Sequence, residues 1–118
     1  MVTEVTEMTK QLYAIKALDD LLVNVVDETL RQVFREEGTK AIYAFIKNNC
    51  HLKQEEIAEK PKVFSDGLER LMGSAAPVIE KLALKNLHRK LGLKFVKKEG
   101  YELSDYVKEL RKGAFVRE

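Results

Sequence analysis

SAAPVIEKLALKNLHRKLG, residues Ser74 to Gly92, reads as one helix with both ends marked. Ser74 is a predicted N-cap, because its hydroxyl can accept from an orphan backbone N–H of the first turn. Pro77 falls inside that turn, where a missing N–H costs little. Gly92 can take the left-handed conformation that ends a helix, and Arg89 and Lys90 sit at the negative end of the dipole. Between these ends Val78, Ile79, Leu82, Ala83, Leu84, Leu87 and Leu91 cover more than one face. A helix that is apolar on several sides packs against several neighbours, so this stretch predicts a central helix, with Leu82 in the core.

Toward the N-terminus the pattern stays helical. Val63, Phe64, Leu68, Leu71 and Met72 stripe a helix over 61–72, opened by Pro61 and closed by Gly73. A short helix is predicted over 53–59, with Ile57 inward. Another runs from about Thr39 to Asn49, with Ala41, Ile42, Phe45 and Ile46 inward, and Asn48–Asn49 ends it. Residues 4–36 repeat apolar side chains at three- and four-residue steps with no Gly or Pro. They form either one long helix stopped at Gly38 or two helices parted near Asp19–Asp20. The stripe Met8, Leu12, Ile15, Leu18, Leu22, Val25 needs a cover, and a second copy of the chain is the simplest one. Beyond Gly92, Leu93, Phe95 and Val96 alternate with lysines before Glu99–Gly100, which suggests a minor β-hairpin near residues 94–103. Ser104 is the predicted cap of a last helix that ends at Gly113, with the last five residues frayed. The expectation is an all-α fold: a compact five- to six-helix bundle forming one domain over 1–118, with a long N-terminal segment (1–37) and a helical core (38–118).

The chain has 118 residues, 45% hydrophobic and 34% charged, the composition of one globular domain. No apolar run approaches the ~20 residues of a membrane helix. The start, MVTEVTEMTK, lacks the basic and apolar regions of a signal peptide. The single cysteine, Cys50, fits a reducing compartment, so a cytoplasmic location without membrane attachment is expected. The net charge of +2 conceals an asymmetry: residues 1–37 carry four basic and eight acidic side chains, and residues 81–118 carry eleven and five. Lys81, Lys85, Arg89, Lys90, Lys94, Lys97 and Lys98 form a run without an acid, a candidate patch for nucleic acid or an acidic partner. A solvated lysine face, or pairing with the acidic N-terminal helix, is the favoured account of the run.

Cys50 and His51 are adjacent, but the only other histidine is His88, too few ligands for zinc. Asp19–Asp20 and Glu55–Glu56 are neighbours in sequence, so on a helix each pair diverges. No nucleophile–base arrangement or phosphate loop is present, so no catalytic, cofactor or metal residues are assigned and an enzyme is not expected. Glu55-Glu56-Ile57-Ala58 is similar to the opening of a helix-turn-helix, with the Lys94–Leu103 hairpin as its wing. Lys62 stands where that motif wants its turn glycine, and Asp66 and Glu69 on the second helix would repel phosphate. The leading expectation is a non-enzymatic interaction or dimerisation domain, with a homodimer or another protein as partner. The alternative is a nucleic-acid-binding regulator using the basic C-terminal third.

Residues 38–93 resemble an archaeal family of small helical domains, described as the nitrosopumilus output domain. Ala41-Ile42-Tyr43, Ile57 before Pro61, Phe64, Leu68, Gly73, Ala76 and Leu91-Gly92-Leu93 carry the resemblance. It implies an all-helical fold and a role in signalling or regulation, with no catalytic residues to transfer. The N-terminal helix lies outside it.

Overall fold

Helix α1 (Val2–Cys50) bends back on itself at one residue, Arg35, whose backbone takes φ 63°, ψ −170°. The Tyr43 hydroxyl donates to Asp27 at 2.9 Å. In a straight helix those residues would stand about 24 Å apart, so the two arms, 2–34 and 36–50, run side by side. The computed structural model describes residues 2–115 and the side chains of residues 8–113. The described residues form four α-helices, α1, α2 (Pro61–Met72), α3 (Ala76–Lys90) and α4 (Leu103–Phe115), with single 3-10 turns at Gln54–Glu56 and Gly73–Ala75.

The all-α class is as expected; the count of five to six helices is not. The apolar repeat expected over residues 4–36 forms one arm as far as residue 34, unbroken at Asp19–Asp20. The reversal falls three residues before Gly38. Gly38 is nevertheless what permits it, because a Cβ there would lie 2.8 Å from the Phe34 Cβ. The short helix expected over 53–59 shrinks to one 3-10 turn. Asn48–Asn49 stay helical, and His51 (φ 54°) takes the left-handed position, its N–H donating to the Lys47 carbonyl at 3.1 Å.

The expected hairpin is absent as well: no strand forms among the described residues. The Lys98 N–H, which a ladder would use, donates to the Tyr106 hydroxyl at 2.8 Å. Phe95 stacks edge-on to His88 at 5.2 Å and tilted on Tyr106 at 5.3 Å. Residues 91–102 are therefore a strap held by side chains, since two lone strands have little stability without packing support.

Three predicted caps shift. Ala75, not Ser74, precedes α3, and no side chain caps it. The Asp105 carboxylate accepts the Glu102 N–H at 2.8 Å, so Glu102, not Ser104, opens α4. That helix runs through Gly113 to Phe115, and the fraying expected of the last residues falls largely outside the described ones. Gly92 does end α3: at φ 73° it lets the Leu93 N–H reach the His88 carbonyl (2.8 Å) and its own reach Arg89 (3.1 Å). This is the paired closure of a Schellman motif.

A single core joins both arms to every other helix. Leu22, Val25 and Leu30 of the first arm meet Ile46 of the second, Phe64 and Leu68 of α2, Leu87 of α3 and Val107 of α4, all essentially inaccessible to water. The first arm belongs to this core and does not form a segment apart from residues 38–118. It spans about 50 Å at 1.5 Å per residue, matching the molecule's 49 Å long axis.

Candidate interaction site

The first arm divides its apolar stripe in two. Leu18, Leu22 and Val25 are buried against the arm's own fold and Ile15 is half-buried. Met8 (62% exposed) and Leu12 (63%) project from the part of the arm that extends past its neighbours, and Tyr13 is 70% exposed beside them. Among the described residues the core joins Leu18, Leu22 and Val25 to side chains of α2, α3, α4 and the second arm, and Met8 and Leu12 stand outside it. Below Leu12 and Ile15 a shallow cleft opens, walled by Asp19, Val23, Glu55 and Ala58.

All seven cations of the basic run are exposed, and two of them are paired within the molecule. Lys90 points to α1 and pairs with Glu28 at 3.0 Å. Lys98 pairs with Glu109 at 2.6 Å and lies 5.3 Å from the Tyr101 ring. Tyr101 also donates to Glu109, at 2.7 Å. Lys81, Lys85 and Arg89 follow one another at four-residue steps along the outer face of α3, exposed and outside every salt bridge among the described residues. Lys94 and Lys97 are exposed on the strap. Asp19 meets basic charge of its own chain: Arg111 of α4 donates to it at 2.9 and 3.2 Å, and to the Ala58 carbonyl at 2.7 Å. Part of the charge asymmetry between the two ends of the sequence is thus neutralised inside one molecule.

The remaining candidates separate. Cys50 is a half-buried free thiol near Arg70, while His51 is exposed. His88 is buried, and its Nδ1 donates to the Leu84 carbonyl at 2.8 Å, so it serves the core. Among the described residues no three His, Cys, Asp or Glu side chains converge in a way that could hold a metal, and no helix is long and apolar enough to cross a membrane. A helix-turn-helix would need its first helix where the 3-10 turn Gln54–Glu56 stands, and its wing where the strap lies; neither element is formed.

Two groups escaped the reading of the sequence. Arg111 ties α4 to α1. Glu80 is half-buried and lines a groove along α3. Stepping about 100° per residue sets Glu80 among Ala76, Ile79, Leu84 and Leu87, an acid in the middle of an inward stripe. That phase was readable. The same stepping turns Leu82 to the opposite side, where it is 38% exposed, so its expected burial is corrected.

Compared with protein-family models, curated proteins and solved structures, the chain matches none. The resemblance of residues 38–93 gains no support from these comparisons.

Proposed function

We propose that this chain is a non-enzymatic helical interaction module that pairs with a second copy of itself through the outer end of α1, in a regulatory or signalling role. The observation that carries the reading is the exposure of Met8, Leu12 and Tyr13 on a helix whose later residues Leu18, Leu22, Val25, Val26 and Leu30 are buried. Contiguous apolar side chains at the free end of a rigid helix mark a contact surface more often than an accident of packing. A two-fold pairing of two such ends buries each set against the other. Each buried Leu or Met contributes about 1.5–3 kcal/mol, and ordering costs subtract from that sum, so the dimer should be reversible and concentration-dependent. Sedimentation equilibrium across micromolar concentrations tests this. The expected result is a mass rising from 13.6 kDa toward twice that, held at the monomer value by Met8→Glu with Leu12→Glu while helicity is kept. A concentration-independent mass of 13.6 kDa sinks the reading.

One observation favours a second reading. The unpaired row Lys81, Lys85, Arg89 presents three cations at one-turn spacing, which suits the backbone of a nucleic acid. A mobility shift that weakens steeply with salt and is lost in Lys85→Glu with Arg89→Glu supports it. No shift at ~50 mM salt removes it, because electrostatic binding is strongest there.

A further inference from the structure

The strap between α3 and α4 closes a groove of about 320 Å³ along α3. Much of its lining is apolar: Pro77, Val78 and Leu84 of α3, with Phe95, Tyr101 and Tyr106 of the strap and α4. The aromatic wall is fixed in place, with Tyr101 edge-on to Tyr106 at 5.0 Å and the Tyr106 hydroxyl tied to the strap. A volume of this size takes a small organic molecule. Glu80 stands at one end, and it also lines a second cavity of about 290 Å³ that shares Pro77 and Tyr101 with the first.

The second cavity is acidic. Asp66, Glu69, Glu80 and Glu102 line it against one cation, Lys62. Lys62 is already engaged, 3.3 Å from Glu102 and 3.7 Å from Asp66. No salt bridge among the described residues reaches Glu80. A half-buried carboxylate without a countercharge is costly.

We propose that these two adjoining cavities bind a small organic cation, with an aromatic or aliphatic body in the groove along α3 and an ammonium group on Glu80. The ammonium supplies the countercharge that Glu80 lacks, in a site where partial burial strengthens the pair. Burial pushes the Glu80 carboxyl above its ordinary range, the charges of Glu102, Glu69 and Asp66 push the same way, and the Ser65 hydroxyl opposes them without forming a hydrogen bond of ordinary geometry. A bound cation reverses that balance. Lys81 and Lys97 also border the groove, but both are exposed to water. An acidic ligand would gain little from them and would meet Glu80. No residue of α1 lines either cavity, so the site stands or falls independently of self-pairing.

Titration of phenethylamine into the full chain, followed by amide chemical shifts, tests the proposal, with phenethyl alcohol and phenylacetate as probes of matching shape. Phenethylamine should shift the amides of residues 78–84 and 95–106, with the alcohol about tenfold weaker, as expected for losing one charge-assisted contact. Glu80→Gln should weaken the amine by a similar factor and leave the alcohol unchanged; its melting temperature reports that the fold is intact. Asp66→Asn with Glu69→Gln, both exposed, should weaken the amine by a smaller factor. No shifts at ~10 mM amine, a concentration that would reveal even millimolar binding, overturn the proposal. So does phenylacetate binding as well as the amine, or an amine affinity indifferent to Glu80→Gln.

Discussion

Leu87 and Leu82 lie five residues apart on α3, and the fold treats them oppositely. Leu87 is wholly buried, while Leu82 keeps more than a third of its surface in water. Leu87→Ala should cost about 2–5 kcal/mol, the transfer term plus a cavity. Leu82→Ala should cost under about 1 kcal/mol, as surface changes do. Urea melts of the two variants decide it, and equal losses would mean that the helix is turned differently from this description. The apolar richness of residues 74–92 correctly announces a helix but not which leucines it hides. That depends on phase, and Glu80 was the clue: an acid amid the inward stripe marks where the core gives way to a cleft. Thr39 is a further local case, fully buried with a hydroxyl that finds no partner, which no reading of a cap residue in sequence would reveal.

At the scale of elements, the reversal inside α1 is the feature the sequence disguises. Its apolar repeat runs on at helical spacing and nothing at Arg35 announces a stop, since an arginine has no preference for φ 63°. Gly38 carried the information, but through close packing on Phe34 and not through chain termination. The arms are then clasped by polar side chains. Arg31 pairs with Asp27 and, across the bend, with Glu36. Tyr43 donates to Asp27. Burial raises the Tyr43 phenol above its ordinary range, and its bond to Asp27 and that carboxylate's charge add to the shift, while Arg31 opposes. The sign follows: the neutral phenol is favoured in the fold, so stability is fully present below the ordinary tyrosine value near 10 and falls as pH rises above it. Tyr43→Phe should cost about 1 kcal/mol at pH ~8, and the gap to wild type should narrow by pH ~11 as the wild-type phenol loses its advantage. Urea midpoints at the two pH values check this; a gap that widens contradicts it. The strap was misread for a related reason: Leu93, Phe95 and Val96 among lysines look like a strand, yet the Lys98 N–H is spent on the Tyr106 hydroxyl.

For the whole molecule, the long-range ties are few and specific. Arg111 joins α4 to Asp19 on the first arm and to the Ala58 carbonyl in the turn after α1. With both side chains mostly covered (29% and 24% exposed), Arg111→Met should cost about 1–3 kcal/mol, the range for hydrogen bonds to charged groups. A double-mutant cycle with Asp19→Asn should show coupling of at least ~0.5 kcal/mol, and strict additivity would refute the tie. Such pairings join residues distant in sequence, so they were illegible in it, whereas the opposite charges of the two ends were plain. Every helix leans on the first arm, and that has a kinetic side. Backbone amides around residues 22–30 can exchange with solvent only when the entire molecule opens, so they should carry the full unfolding free energy. Amides near Met8 and Leu12 lie on the same helix but outside that core, and they should exchange orders of magnitude faster. One continuous helix thus contains both the slowest and the fastest clocks in the protein, and a partner that docks on its outer end would be felt first as a slowing of the fast one.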